Sequence, residues 1–245
     1  MMTRLDNSRG FTLIELVIVI LVIGVLGSIA TLKMNESIET AQYEQTKQEL
    51  DNLAFAITGN PDLFSNGTRV DFGFVGDNGT LPANLDYLVT DPGGWSTWDG
   101  PYIERGLNSD DFKKDAWNVN YTMTDTLIRS TGSGSNIDKL VANSSVALLS
   151  NTVSGWVVDA SGETPQGTYT DSVTVRFGYP DGAGNLTYAS TNLDSDGRFN
   201  YGNIPIGNHT LWVIFSPDTD TMTYSVTVYP SRDVTLDIVF PADLW

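Results

Sequence analysis

A near-continuous apolar run, FTLIELVIVILVIGVLGSIATL at positions 11–32, constrains this chain more than any other feature. As an α-helix rising about 1.5 Å per residue, its 22 residues reach roughly 30 Å, the thickness of a bilayer core. The polar segment before it, MMTRLDNSRG, carries Arg4 and Arg9. By the positive-inside rule the N-terminus is then cytoplasmic and everything after Leu32 lies across the membrane. A secretory signal peptide has a shorter apolar region followed by a small-residue cleavage site, whereas here the small residue, Gly10, comes first. Glu15 is the anomaly, because an ionised side chain in hydrocarbon costs about 2.5–3.5 kcal/mol or more and therefore calls for a partner. Cleavage between Gly10 and Phe11 would supply one, since the new α-amine of Phe11 on one subunit can be neutralised by the Glu15 carboxylate of a neighbour.

The octet RGFTLIEL, with its basic leader, Gly10, Phe11, apolar residues and Glu15, resembles the prepilin signal shared by type IV pilins and type II secretion pseudopilins. The resemblance implies removal of residues 1–10 by a prepilin peptidase, N-methylation of Phe11, and packing of the apolar helix into a filament. Gly24 and Gly27 permit close approach of neighbouring helices. Many family members carry a helix-loosening proline in this segment; this chain has none before Pro61.

Composition removes several function classes. With 13 Lys and Arg against 30 Asp and Glu, a net charge of -17, the chain has no basic surface for nucleic acid. Without cysteine it has no disulfide framework, thiolate metal site or thiol nucleophile. The lone histidine, His209, falls in a strand-like run and reads as a surface or edge residue rather than a ligand.

Beyond the span, Ile38, Ala41, Tyr43, Leu50, Leu53, Ala54 and Ile57 recur at helical spacing, so the helix is expected to continue to residue 58 and cover a globular head, stopping at Gly59, Asn60 and Pro61. Residues 59–150, rich in Gly, Asn, Asp and Trp, read as a loop-heavy α+β head. Two stretches, GPYIERG at 100–106 and DFKKDAWNVNYTMT at 111–124, resemble the major pseudopilin of type II secretion. Lys114, Asp115, Trp117, Asn118 and Tyr121 match that family's turn; Ala116, Val119 and Asn120 depart from it. Chemistry assigns these residues a structural role, with Asp115 and Asn118 bonding backbone amides in a tight bend and Trp117 and Tyr121 closing over the helix. The resemblance also implies a calcium loop, here Ser130 to Asp138. That loop offers only Asp138 as a carboxylate, with Asn136 and, from the preceding strand, Asp125; calcium takes six to eight oxygens, so an uncharged Gly/Ser turn and no cofactor is the preferred reading.

From residue 151 to 245 seven β-rich runs alternate apolar and polar residues between Gly, Asn, Asp and Pro turns, as in Val173, Val175, Phe177 and Leu211, Val213, Phe215. An antiparallel sandwich is predicted. SGWVVDASGETP paired with DSDGRFNYGNIPIGNHTLWV resembles carboxypeptidase regulatory-like, transthyretin-like domains, which implies a non-catalytic module. DSDG at 194–197 reads as a hairpin turn, because Pro205 stands where an EF-hand needs an acidic residue. The fold class is thus α+β: a leader (1–10), a long helix (11–58, membrane-spanning over 11–32), a small pilin-like head (59–150) and an all-β sandwich (151–245). The expected function is a structural subunit of a type II secretion pseudopilus or related pilus-like filament, with itself, other pseudopilins, the inner-membrane assembly platform and prepilin peptidase as partners. It is expected first in the inner membrane with its C-terminus periplasmic, then in a periplasmic or extracellular filament. A displayed adhesion module using Trp156, Trp212 or Trp245 is the alternative. A carboxylate hydrolase is disfavoured because no Ser/His/Asp set is available.

Overall fold

The computed structural model describes residues 12–103, 110–169 and 171–245. Contacts divide the chain between Gln45 and Thr46 into two compact units. Helix α1, Leu13–Thr58, contributes to both. The predicted leader and Phe11 lie outside the described residues.

In the first unit α1 stands without a covering layer: Leu13 to Leu32 are exposed throughout. Its many Val and Ile residues are mediocre helix formers in water, but a helix is how a single span satisfies its backbone in hydrocarbon. The span's hydroxyls are also turned inward on the helix, Ser28 Oγ donating to the Val25 carbonyl at 2.8 Å and Thr31 Oγ1 to Ser28 at 2.9 Å.

In the second unit the last turns of α1 bury Thr46, Leu50, Leu53, Ala54, Ala56 and Ile57. The helix ends where expected. Gly59 has φ 78°, and a Cβ there would lie 2.3 Å from the Asp71 carbonyl oxygen, so both conformation and space demand glycine. The buried Arg69 closes the end, donating to the carbonyls of Thr58 at 2.5 Å and Gly59 at 3.0 Å, which a helix C-terminus leaves without partners.

The head continues through the hairpin β1 (Phe64–Ser65) and β2 (Thr68–Arg69), helix α2 (Gly73–Asn78), and the antiparallel sheet of β3 (Thr122–Thr124), β4 (Leu127–Ser130) and β5 (Ile137–Leu140). Helix α3 (Ser145–Leu149) follows, capped by Ser144 Oγ accepting from Ala147 N at 3.2 Å. Leu50, Leu53 and Ile57 of α1 share one core with Phe74, Leu88, Ile128 and Leu148. Each such side chain contributes roughly 1.5–3 kcal/mol by leaving water.

The remaining strands are β6 (Asn151–Val158), β7 (Val173–Pro180), β8 (Leu186–Asn192), β9 (Arg198–Ile204), β10 (Gly207–Phe215), β11 (Asp220–Val228) and β12 (Val234–Val239). They form one sheet of order β11-β10-β7-β8 and another of order β12-β6-β9. Between them lie Val175, Phe177, Leu211, Val213 and Phe215 from the first sheet and Val153, Val157, Phe199, Tyr201 and Ile238 from the second. Alternation along β10, buried at every odd position from Gly207 to Phe215, is the period-2 pattern of a half-buried strand. Pairing is antiparallel except that β12 runs parallel to β6. The reason is topological: β12 follows β11 by switching sheets, and only a crossover of that kind lets strands pair in parallel. Likewise DSDG joins β8 to β9, which belong to different sheets, so it is a tight connection and not the predicted hairpin. Asp194 holds it, accepting from Asp196 N at 2.9 Å and Arg198 N at 2.8 Å.

Head and sandwich meet through covalent continuity and a shared core. Ile206, between β9 and β10, is wholly buried in the head's cluster, and its N–H donates to the Leu148 carbonyl at 2.8 Å. Asn208 Nδ2 donates to the Arg69 carbonyl at 3.1 Å, and Ser96 Oγ to that of Gly184 at 3.1 Å.

Candidate functional site

The start of α1 is built by Thr12 and Glu15. Thr12 Oγ1 accepts from Glu15 N at 3.3 Å, while the Glu15 carboxylate accepts from Thr12 N at 3.4 Å. This reciprocal capping box satisfies two donors that a helix N-terminus leaves open, and places a negative charge at the positive end of the helix dipole. Sequence reasoning assigned Glu15 to a neighbour and missed this local role, although the signal, Thr followed three residues later by Glu before an apolar run, was present. Gly10 and Phe11 lie outside the described residues. Gly24 and Gly27 have nothing within 4 Å of where a Cβ would stand, so no contact inside the chain requires glycine there. Lys33 and Glu36, paired at 2.7 Å, are the charged residues that follow the span.

The head turn is organised by Asp115. Its buried carboxylate accepts from the N–H groups of Trp117 (3.0 Å), Val119 (2.9 Å) and Gly132 (3.1 Å) and from Ser130 Oγ (2.5 Å). Asn118 supplies the bend with φ 64°, which Asn tolerates better than most residues, and its exposed side chain makes no bond to the turn's amides. Lys114 bridges Asn120 through the backbone. Tyr121 is buried against α1 and donates its hydroxyl to Glu49 Oε2 at 2.7 Å; burial, then the Glu49 hydrogen bond and charge, push its pKa well up. Trp117 packs at the edge of the same core. Ala116 N donates to Thr46 Oγ1 at 3.2 Å, so the turn is tied to α1 from both ends. In the preceding GPYIERG stretch, Tyr102 packs edge-on against Trp98 and receives Asn78 Nδ2 at 3.1 Å, while Glu104 to Gly106 lie outside the described residues.

The three residues weighed as calcium ligands do not come together. Asp138 faces Arg129 across the β4–β5 pair and accepts from its Nε at 2.7 Å and Nη2 at 2.8 Å, using both carboxylate oxygens. Asp125 sits in the β3–β4 turn and Asn136 beside the far end of β4, separated by the length of that strand, about 10 Å or more. Among the described residues no group of three or more His, Asp or Glu side chains could hold a metal. The carboxylate that reaches the Ser130–Gly132 backbone is Asp115, already filled with donors.

His209 is a correction to the surface placement expected of it. It is 4% exposed, its Nε2 lies 2.8 Å from the Pro205 carbonyl, and its ring packs edge-on to Phe177. Its odd position in β10 turns it inward with Leu211 and Val213, and burial lowers its pKa despite the Pro205 bond.

Residues 5–31 match the family model described as the prokaryotic N-terminal methylation motif. The chain carries a prepilin-type N-terminus. The match begins in the polar segment before Phe11 and runs through the capping box into the exposed apolar helix, and motif and helix together support membrane anchoring. A curated relative, the type II secretion system core protein G of Xanthomonas campestris pv. campestris, is 32% identical over 98 residues. The alignment takes in 40% of this chain and 59% of that protein, so the chain spans about three fifths of its relative's length. Among solved structures, the Bacillus anthracis TIE protein overlaps 49% of this chain and 23% of its own at 14% identity and a TM-score of 0.31. BcpA, the major pilin subunit of Bacillus cereus, overlaps 51% and 42% at 13% identity and a TM-score of 0.30. Scores this low carry no argument.

Proposed function

We propose that this chain is a structural, non-enzymatic subunit of a type II secretion pseudopilus or a related pilus-like filament. The observation that carries the reading is the methylation motif at residues 5–31, which takes in the start of a helix whose apolar side chains, Leu13 to Leu32, are left exposed among the described residues. A bilayer covers that surface before assembly, and neighbouring copies of the same helix cover it afterwards. Similarity to a type II secretion core protein favours the secretion filament. In this reading a prepilin peptidase cleaves after Gly10 and Phe11 is methylated, the N-terminus starts in the cytoplasm with the C-terminus periplasmic, and the chain assembles with itself and other pseudopilins on an inner-membrane platform. The burial of His209, the chain's single histidine, supports a role without histidine-centred catalysis.

The test is processing in a cell that has a prepilin peptidase. N-terminal mass spectrometry of membrane material should find methylated Phe11, and replacing Gly10 by a bulky residue should leave the leader attached, because the peptidase must approach the backbone closely. An intact leader on wild-type chain in assembled filaments would overturn the reading.

A further inference from the structure

Strand β6 is central in the sheet β12-β6-β9, and its outward positions form a face that the sandwich core does not use. Register places Trp156 between Arg198 of β9 and Asp237 of β12, and Ser154 between Asn200 and Thr235. Trp156 is 40% exposed. Other tryptophans of the chain are committed: Trp98 and Trp245 donate their indole N–H to carbonyls, and Trp212 packs beside Tyr188 and Arg176. Among the described residues Trp156 has no ring or cation partner.

The polar side chains around it are equally uncommitted. Ser154, Arg198, Asn200, Thr235 and Asp237 make no side-chain hydrogen bond or ion pair among the described residues. Aspartates 159, 181 and 194 differ, each holding backbone amides of a turn. Asp237 and Asn200 lie inside strands, where such residues are disfavoured, so local structure does not explain their choice. Charged residues on the edge strands β9 and β12 would deter edge pairing, but that need does not place a large exposed indole on the central strand.

Ser154, Trp156, Asp194, Arg198, Asn200 and Thr235 line an open groove of about 690 Å³, and Asp237 lies beside Trp156 outside it. With Arg198 as cation and Asp194 and Asp237 as carboxylates, in a chain whose net charge is -17, the face has no cationic excess and does not suit a polyanion. What fits is a ligand with a flat C–H face for the indole and hydroxyls at its rim for the amide, carboxylate, guanidinium and hydroxyl groups. An apolar ligand would strip water from those groups without replacing their hydrogen bonds. We propose that the Trp156 face of the sandwich binds a neutral oligosaccharide, lying extended along the groove with a sugar ring stacked on the indole. This site is independent of the filament reading, and its test does not require assembly.

The full chain, held in a zwitterionic detergent with no sugar headgroup, is titrated with cellohexaose, xylohexaose and chitohexaose, and with polygalacturonate as an anionic counterpart, following ligand resonances by saturation-transfer NMR and affinity by calorimetry. At least one neutral hexasaccharide should bind. Trp156→Ala should weaken it at least about tenfold, as truncation of a central aromatic anchor does, and Trp212→Ala on the opposite sheet should not. Asn200→Ala and Thr235→Val should each weaken binding with an unchanged melting temperature, and they decide the matter if Trp156→Ala misfolds. Wild-type chain that binds none of the neutral probes, binds polygalacturonate instead, or binds as well after Asn200→Ala and Thr235→Val would overturn the proposal.

Discussion

Asp115 shows how one carboxylate can do the work of a whole loop. Four donors converge on it from two segments, so removing it leaves Ser130 Oγ and three amides to find water in a half-buried turn. Asp115→Ala should destabilise the head by about 2–4 kcal/mol, read as a lower urea midpoint at unchanged slope. Asp77 gives a second test, with a sign set by its surroundings. Burial, assisted by the charges of Asp99 and Asp71 and opposed by a hydrogen bond with Tyr102, raises its pKa from the ordinary 3.8 to about 6. A raised folded-state value means the protonated form favours folding, a contribution complete below the unfolded pKa and lost as pH rises through about 6. Asp77→Asn should therefore raise the melting temperature at about pH 8 and raise it much less near pH 4, where the folded-state residue is protonated and the unfolded one only partly ionised. An equal gain at both pH values would remove ionisation as the cause.

At the scale of elements, α1 changes solvent along its length. Its first half offers apolar side chains to lipid and its last turns bury Leu50, Leu53 and Ile57 in the head. Glu15 sits at its start with a local role, the capping box, and a proposed intersubunit role, the pairing with a neighbour's Phe11 amine. The two separate by chemistry. Gln serves at the third helical position of a capping box but carries no charge, whereas Ala serves neither purpose. Glu15→Gln and Glu15→Ala should both insert in the membrane and both reduce filament yield, with Ala also fraying the first turn. Normal yield from Glu15→Gln beside low yield from Glu15→Ala would assign the residue to capping alone.

In the molecule as a whole, the unit from Thr46 to Trp245 rests on two cores joined at Ile206. That side chain comes from the link between two sandwich strands yet is wholly buried among head residues. Ile206→Ala should cost about 2–4 kcal/mol, near the range for truncating a buried aliphatic, and should lower the stability of head and sandwich together. Val146→Ala on the exposed face of α3 is the control, expected to change stability by less than about 0.5 kcal/mol. Thermal unfolding followed at helical and strand wavelengths checks both. Separate transitions, with only the head affected, would show that the two cores melt independently. The proposed boundary near residue 150 then depends on how a fragment from there onward hides Ile206.

Period and composition alone determined the long helix, its stop at Gly59 and the seven alternating runs of the sandwich, because helix and strand impose their repeats on neighbouring residues and need no distant partner to be read. The methylation motif over residues 5–31 was legible for the same reason, as a local string. What tertiary structure decided was every feature made by residues far apart in sequence. Asp115 was readable as a turn residue, but its reach to Ser130 and Gly132 depends on two segments meeting. Asp138 was the one carboxylate that the disfavoured calcium loop offered, and the register of β4 and β5 sets it opposite Arg129. His209 turned inward because its sheet face, and not its polarity, fixes where its side chain points. The parallel pairing of β12 with β6 and the seating of Ile206 in the head follow from chain crossings whose direction depends on how separate layers bury their apolar faces against each other, a balance that no local pattern records.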